Sequence, residues 1–381
     1  MKLPFIKLIY TSVCFSLLWN IVIAQIGSPF ISNYHPKDYN SGSQNWCSAQ
    51  DKRGIIYIGN SNYILEYDGV NFRKIPLPKG TVVRSIDINS EGVVFAGGQG
   101  DIGYLQSDST GKNNFTSLLN EIPEENRSFD DVWNTICNNY GTYFLTDNFI
   151  LRYHNGIINV IESESSFHLM FPIKDTLYIK ERGNGLVKLI DNSLERIPYG
   201  NFFADIPIFS ITTTDNGHLL IASMTDGLFI FKEGDEPKVF ITEANEFLVK
   251  NLVYNGLKLN NDLTAFGTLK NGLLLINQDG IIQTNVTTSS NLLFDAINNV
   301  SLDHQNGLWA TLDKGISRIE PASRFSFFNE NDGINHLVYN LTKHKDILYL
   351  ATSEGVYYFD DNAKNAYSEQ GKVIKFNLID N

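Results

Sequence analysis

The sequence predicts an all-β fold, a β-propeller of four-stranded blades, and three observations carry the prediction. A cassette recurs about every 42 residues, the period of a propeller blade. Its strands are short runs rich in β-branched and aromatic residues, separated by polar turns. The 3.6-residue apolar period that helical repeats of similar length require is missing. The cassette is plainest in Asp303-His304-Gln305-Asn306-Gly307-Leu308-Trp309-Ala310-Thr311-Leu312-Asp313-Lys314-Gly315-Ile316, which aligns with His344-Lys345-Asp346-Ile347-Leu348-Tyr349-Leu350-Ala351-Thr352-Ser353-Glu354-Gly355-Val356-Tyr357. Each copy is a polar turn, a short apolar strand, a turn ending in Gly, and a further strand. The pattern returns at Asp215-Asn216-Gly217 with Gly227 to Phe231, and at Asp51-Lys52-Arg53-Gly54 with Ile64 to Tyr67.

The chain opens with Lys2 and Lys7, then the apolar stretch Leu8 to Ala24, ending Val22-Ile23-Ala24 before Gln25. This three-part pattern reads as a secretory signal peptide over residues 1–24. The rival reading, an uncleaved anchor helix, places the rest of the chain on the same side of the membrane. Cys14 follows Val13 inside the apolar stretch rather than a small residue at the cleavage point, which argues against a lipid anchor.

Taking the residue after each central aromatic or aliphatic pair as an anchor gives Gly59, Gly97, Thr146, Lys180, Ala222, Gly267, Ala310 and Ala351. Mostly small anchors suggest crowding of the strands next to the propeller axis; Lys180 breaks the rule and makes the fourth repeat the least secure. Ring closure falls to the N-terminus, because an unpaired blade edge invites aggregation. Ser28-Pro29-Phe30-Ile31-Ser32-Asn33-Tyr34 has no blade of its own and resembles Ser323-Arg324-Phe325-Ser326-Phe327-Phe328. If it completes the seventh blade, residues 25–322 form a seven-bladed propeller and residues 323–381 open a second, incomplete one. The alternative is a single eight-bladed ring with a loose tail.

Composition is that of a globular chain: 43% hydrophobic, 12% aromatic and 19% charged, with a formal charge of −12. No Lys/Arg cluster interrupts that acidic balance, so nucleic acid is a poor partner. After residue 24 only Cys47 and Cys137 remain, at similar places in repeats that are not neighbours, which reads as two separate buried thiols. No later segment is long and apolar enough to span a bilayer.

The blade signature, Asp/Asn-x-x-Gly-x-Leu-Trp-x-x-Thr-x-x-Gly-Ile/Leu, resembles the two-component regulator propeller repeat, with Trp309 to Ile316 its best copy. A longer match runs through Gln44-Asn45-Trp46, Asp51 to Asn60, Leu65-Glu66-Tyr67-Asp68-Gly69 and Ile102-Gly103-Tyr104-Leu105. These look like the sensor regions of large Bacteroidetes-type regulators, in which propellers precede a triple-tyrosine domain, a membrane helix and a cytoplasmic output module. The resemblance covers essentially all of the chain after residue 24. It implies a periplasmic sensor of an extracellular small ligand, in many relatives a glycan or its breakdown product, in which binding changes how two propellers and two protomers are disposed. It also implies a homodimer, and membrane attachment only through regions that are missing here, as are the output modules.

Motifs that carry chemistry are sparse. Gly98-Gln99-Gly100-Asp101-Ile102-Gly103 fits G-x-G-x-x-G, yet Tyr104 and Leu105 continue a strand where a dinucleotide site needs a helix, so the glycines read as a blade turn. The seven histidines form no metal-binding pair, and no cofactor is indicated. Asp130-Asp131 and Glu124-Glu125 read as solvated charge. Paired carboxylates for glycoside cleavage remain open, because a propeller brings distant residues together. Ligands enter propellers through loops that feed the innermost strands. The residues near those starts are Asn45, Trp46, Arg84, Trp133, Asn134, Asn251, Asn299 and Asn340. Aromatic faces plus a ring of amides suit a sugar, while packing between blades and turn formation account for the same residues structurally. Three function classes follow: a non-catalytic receptor sensor, which is favoured; a secreted carbohydrate- or protein-binding scaffold; and a propeller lyase or hydrolase, which needs converging acidic, basic or His groups at the channel mouth.

Overall fold

The computed structural model describes residues 27–381 except 260–262, 322, 324, 346, 361–366, 369–370, 373–375 and 380–381. The signal-peptide segment lies outside the described residues. Among the described residues the chain builds eight four-stranded antiparallel sheets. In chain order, sheets 1 to 6 cover residues 45–75, 83–117, 134–162, 167–196, 208–239 and 253–286, each a simple meander. Sheet 7 takes three strands from residues 297–320 and its fourth from Phe30–Tyr34. Sheet 8 lies within residues 338–378.

The innermost strands of sheets 1 to 7 are neighbours in a closed cycle. Ile297–Leu302 of sheet 7 lies beside Asn45–Gln50 of sheet 1, tied there by the Ser48–Ser301 hydroxyl pair at 2.7 Å. Closure rests on the N-terminal strand. Phe30–Tyr34 pairs antiparallel with Gly315–Glu320, in register from Phe30 opposite Glu320 to Tyr34 opposite Ile316. Asn33 fixes that register from both sides, accepting from Ser317 at 2.6 Å and donating to the Asn291 carbonyl at 2.8 Å. Tyr34 stacks on Trp309 with centroids 5.7 Å apart and planes 9° apart, and meets Tyr67 and Phe72 edge-on. The strand is therefore held by a ladder and an aromatic cluster contributed by sheets 7 and 1.

Phe327 pairs with Ser28 in an isolated bridge, whereas Phe328 packs on Phe359 and Phe376 in the small core of sheet 8.

The recurrent polar turn has a clear physical basis. Asp51 accepts from the backbone of Arg53 and Ile55 at 2.9 and 3.0 Å, while Gly54 donates back to the Asp51 carbonyl with φ +91°. Asn89, Asn277 and Asp303 cap their turns in the same way. A short side-chain acceptor and a residue tolerant of positive φ are what such turns need. Gly100, at φ +69°, likewise sits in the turn between two strands, so the G-x-G-x-x-G match is a blade turn.

The small anchors are crowded by innermost strands, from their own sheet and from the next. A Cβ at Gly97 would meet Val132 Cγ1 at 2.4 Å, one at Gly59 the Val83 carbonyl at 2.8 Å, and one at Gly267 Ile297 Cγ2 at 2.7 Å. In each case the start of the next sheet's innermost strand is an obstacle, joined by Cys47 Sγ at 2.6 Å for Gly59 and Ser85 Oγ at 2.8 Å for Gly97 on the innermost strand of the same sheet, so the crowding comes from both. Register also moves two anchors by one position: Leu145 and Thr311 occupy the places assigned to Thr146 and Ala310. Lys180 is buried in a complete four-stranded fourth sheet, its ammonium donating to the carbonyls of Glu181 and Ala204 at 2.8 and 2.7 Å. Burial pushes its pKa down to about 8.

Removing residues 25–34 should open sheet 7 along its outer edge. The expected result is a fall in the thermal midpoint of roughly 10 °C or more, measured by circular dichroism, while Ile241→Ala, at a side chain 88% exposed, should change it far less.

Candidate functional site

In six of the seven cyclic sheets the innermost strand loses register with its neighbour near its start. The shifts fall between Asn45 and Cys47, Val83 and Ser85, Phe167 and Met170, Ile208 and Ser210, Val253 and Asn255, and Ile297 and Asn299. Such bulges re-aim a side chain out of the ladder. The residues released are Trp46, Arg84, His168, Phe209, Tyr254 and Asn298, with Leu169 also unpaired in sheet 4. Trp133, immediately before the first strand of sheet 3, takes the corresponding place and donates its backbone N–H to the Leu145 carbonyl. All seven line one cavity of about 890 Å³ along the channel.

Arg84 organises one side of this mouth. Its guanidinium lies 3.9 Å from the centroid of Trp46 and 5.0 Å from that of Trp133. Nε and Nη2 form a two-point pair with Asp131 at 2.9 and 3.1 Å. Both partners are about 15% exposed, so the fork is fixed by charge and by stacking together. Asp131, read from the sequence as solvated charge, is therefore a structural counter-ion. Beside it, Asn298 donates to the Asn45 carbonyl at 2.9 Å and to Asp313 at 3.1 Å. On the opposite side His168 meets Phe209 edge-on at 4.8 Å, and Phe209 lies 5.1 Å from Tyr254.

Burial dominates the titration of these groups. It lowers His168 to about 4, helped by the positive charges of Arg182 and Lys180, so the imidazole is neutral at pH 7. It raises Tyr254, with Arg84 opposing and Asp313 and Asp131 reinforcing. Asp87, deeper in the channel, rises to about 6 through burial, although it accepts from the Cys137 and Ile88 backbone. Cys47 and Cys137 are separate free thiols, and burial lifts Cys47 to about 12. Among the described residues eight buried side-chain polar atoms have no hydrogen-bond partner, and five belong to residues lining this cavity: Trp46, Arg84, His168, Ser210 and Thr212. Buried polar groups are normally paired, so the shortfall is concentrated at the channel.

Of the residues picked out in the sequence, Trp46, Arg84, Trp133, Asn134 and Asn299 line the cavity. Three lie elsewhere. Asn45 is fully buried and pins sheet 1 to sheet 7, donating to Tyr39, Ser43 and Gly315 and accepting from Asn60. Asn251 ends the helix Glu243–Asn251 and donates to the Phe247 carbonyl. Asn340 is exposed in sheet 8, accepting from the backbone of Leu341. The expected ring of amides is present in part, as Asn134, Asn255, Asn298 and Asn299, which share the lining with aromatic rings. His168, Phe209, Tyr254 and Asn298 escaped sequence reading, although a signal exists: each directly follows a buried apolar residue that opens an innermost strand, namely Phe167, Ile208, Val253 and Ile297. No cluster of His, Cys, Asp or Glu among the described residues has the geometry of a metal site.

No protein-family model matches the chain, and no curated protein matches it. Solved structures do. The chain is similar to the extracellular domain of a proposed one-component system from B. thetaiotaomicron, at 19% identity and TM-score 0.60 over 89% of this chain and 46% of that one. It is also similar to the extracellular domain of a proposed hybrid two-component system from the same organism, at 16% identity and TM-score 0.65 over 87% and 48%. A virginiamycin B lyase from Staphylococcus aureus aligns at 15% identity and TM-score 0.57 over 76% of this chain and 97% of the lyase. These likenesses establish the β-propeller fold, and the first two match the regulator-propeller resemblance read from the sequence. The chain spans about half the length of those two extracellular domains.

The depressed pKa of His168 sets a pH signature. The unfolded imidazole takes up a proton near its ordinary value of 6.5, and the folded one only near 4. The stability this residue supports is therefore present above pH 6.5, is lost as pH falls toward 4, and levels off below. Thermal midpoints of His168→Gln and the parent should converge between pH 6.5 and 4 beyond any offset at pH 7.5; parallel curves would show that His168 is not held neutral by the fold.

Proposed function

We propose that this chain is the extracytoplasmic ligand-sensing propeller of a membrane-bound signalling regulator, that it performs no chemistry, and that the bulge-residue mouth is where it takes its ligand. On this reading residues 25–322 form one ring of seven blades, residues 323–381 begin a second propeller, and export depends on residues 1–24. The observation that carries it is the mouth itself: six strand bulges and Trp133 deliver four aromatic rings, a neutral imidazole, a charge-compensated guanidinium and an amide to one cavity. Aromatic faces with scattered hydrogen-bonding groups suit a sugar ring, which presents apolar C–H faces and a rim of hydroxyls. Similarity to extracellular domains of regulators supports the sensing role.

The mouth is a weaker fit to a lyase or hydrolase. Phe209 lies between His168 and Tyr254, and Arg84 is already neutralised by Asp131. An acid and base would need direct reach of one substrate atom. Output then arises elsewhere, through a change in the disposition of propellers or of two protomers on ligand binding.

Trp46 and Trp133 stand at the mouth, while Trp309 is buried in the closure cluster. Titration with oligosaccharides should therefore change tryptophan emission. The change should vanish in the Trp46→Phe/Trp133→Phe double variant and persist in Trp309→Phe. Mass spectrometry should recover the bound sugar unaltered after prolonged incubation; cleaved or eliminated product would defeat the non-catalytic reading.

A further inference from the structure

The lining of the channel mouth is short of acceptors. Five of its buried side-chain polar atoms have no hydrogen-bond partner. Two of them, the indole N–H of Trp46 and Nη1 of Arg84, can only donate, while His168 Nδ1 and the hydroxyls of Ser210 and Thr212 can do either. None is a carbonyl or carboxylate oxygen. A hydroxyl on a ligand brings a donor with each acceptor, whereas a carboxylate or sulfate brings acceptors alone. The imbalance favours an oxyanion.

Charge points to the same class and to a place for it. The Arg84 guanidinium is committed to Asp131, and Lys258, at the far end of its strand, to Asp215. Two other cations line the cavity, Arg182 and Lys174, and neither makes a salt bridge among the described residues. Lys174 follows the strand Phe167–Ile173, at the end remote from His168.

Arg182 stands beside the bulge of that strand. Its backbone N–H donates to the Ser166 carbonyl at 2.8 Å and its Nε to the Phe167 carbonyl at 3.2 Å, so the guanidinium is anchored immediately before His168. The residue is exposed, and neither Nη1 nor Nη2 has a hydrogen-bond partner among the described residues. With Nε occupied, the open edge is the Nη1 and Nη2 pair, whose parallel N–H groups match two oxygens of a carboxylate or sulfate. Asp147 lines the same side and gives its backbone carbonyl to the Phe167 N–H at 2.7 Å, without an ion pair to Arg182. Besides burial, what acts on His168 is the positive charge of Arg182 and Lys180. The field at this end of sheet 4 is therefore positive, within a chain of net charge −12.

Resting on the channel-mouth reading above, we infer that the ligand carries an oxyanion, a carboxylate or a sulfate, and that Arg182 receives it with Nη1 and Nη2 beside His168. An acidic sugar meets both parts of the site, its ring against aromatic faces and its anionic group against the arginine.

The test is a glycan array printed with uronate-bearing, sulfate-bearing and matched neutral oligosaccharides, probed with the purified chain and with variants of confirmed thermal stability. Acidic probes should bind about tenfold or more tightly than their neutral counterparts, and the uronate and sulfate arms tell which oxyanion is taken. Arg182→Gln should weaken acidic binding by about tenfold or more, the scale of a hydrogen bond between charged groups, and bring it down to the neutral level. Arg182→Lys, which keeps the charge and loses the fork, should fall between parent and Arg182→Gln, and it carries the test if the glutamine variant unfolds. Lys52→Gln, at a cation outside the cavity lining, should change binding by less than about twofold. Equal binding of acidic and neutral probes, or acidic binding that survives loss of the Arg182 fork undiminished, overturns the inference and leaves the sensing reading standing. A folded parent chain that binds no sugar on the array overturns the carbohydrate reading and the inference together.

Discussion

The pairing of Phe30–Tyr34 with Gly315–Glu320 is the constraint on which the rest of the structure depends. A propeller sheet buries both faces only when it has a neighbour on each side, so a ring that fails to close exposes two faces at once. Here the first and last parts of the cycle are joined by a five-residue ladder, by the amide of Asn33, and by the ring of Tyr34 set against Trp309. The closure also builds the mouth. Asn298 belongs to sheet 7 and Trp46 to sheet 1, and the Asn298 amide reaches Asn45 only because the two innermost strands lie side by side.

Charge is arranged in the mouth as economically as shape. A guanidinium between two indoles would carry a desolvation penalty if left alone, and the two-point contact with Asp131 offsets it. His168 avoids the same penalty by staying neutral. Other charged groups, among them Arg182 and Asp147, also line the cavity, inside a chain whose overall balance is acidic.

Much of the fold was legible because its signals are local. The Asp/Asn-x-x-Gly turns follow from side-chain caps within four residues, and the pairing role of Phe30–Tyr34 followed from a strand with no blade of its own. Lys180 misled because a long side chain can snorkel its ammonium to backbone carbonyls while its methylenes fill an apolar seam. The site was legible only in part. Trp46, Arg84 and Trp133 stand out by residue type, but Phe209 and Tyr254 look like ordinary strand residues. Their orientation comes from a one-residue slip in pairing, and strand alternation gives no hint of a slip. Asn45, Asn251 and Asn340 were chosen as amides near strand starts, a position that says nothing about whether the amide is already engaged by backbone.

The bulges carry a consequence for how such a molecule can change. Each mouth side chain is attached where the backbone has already left the ladder, and its immediate predecessor, as with Val83, Ile208 or Val253, is the residue that fills the seam between sheets. Recognition and cohesion are thereby assigned to adjacent but separate positions. Exchange at the first set rewrites what the channel accepts while the second keeps the ring intact, so a lineage of such rings can diversify its chemistry one strand at a time without renegotiating its architecture.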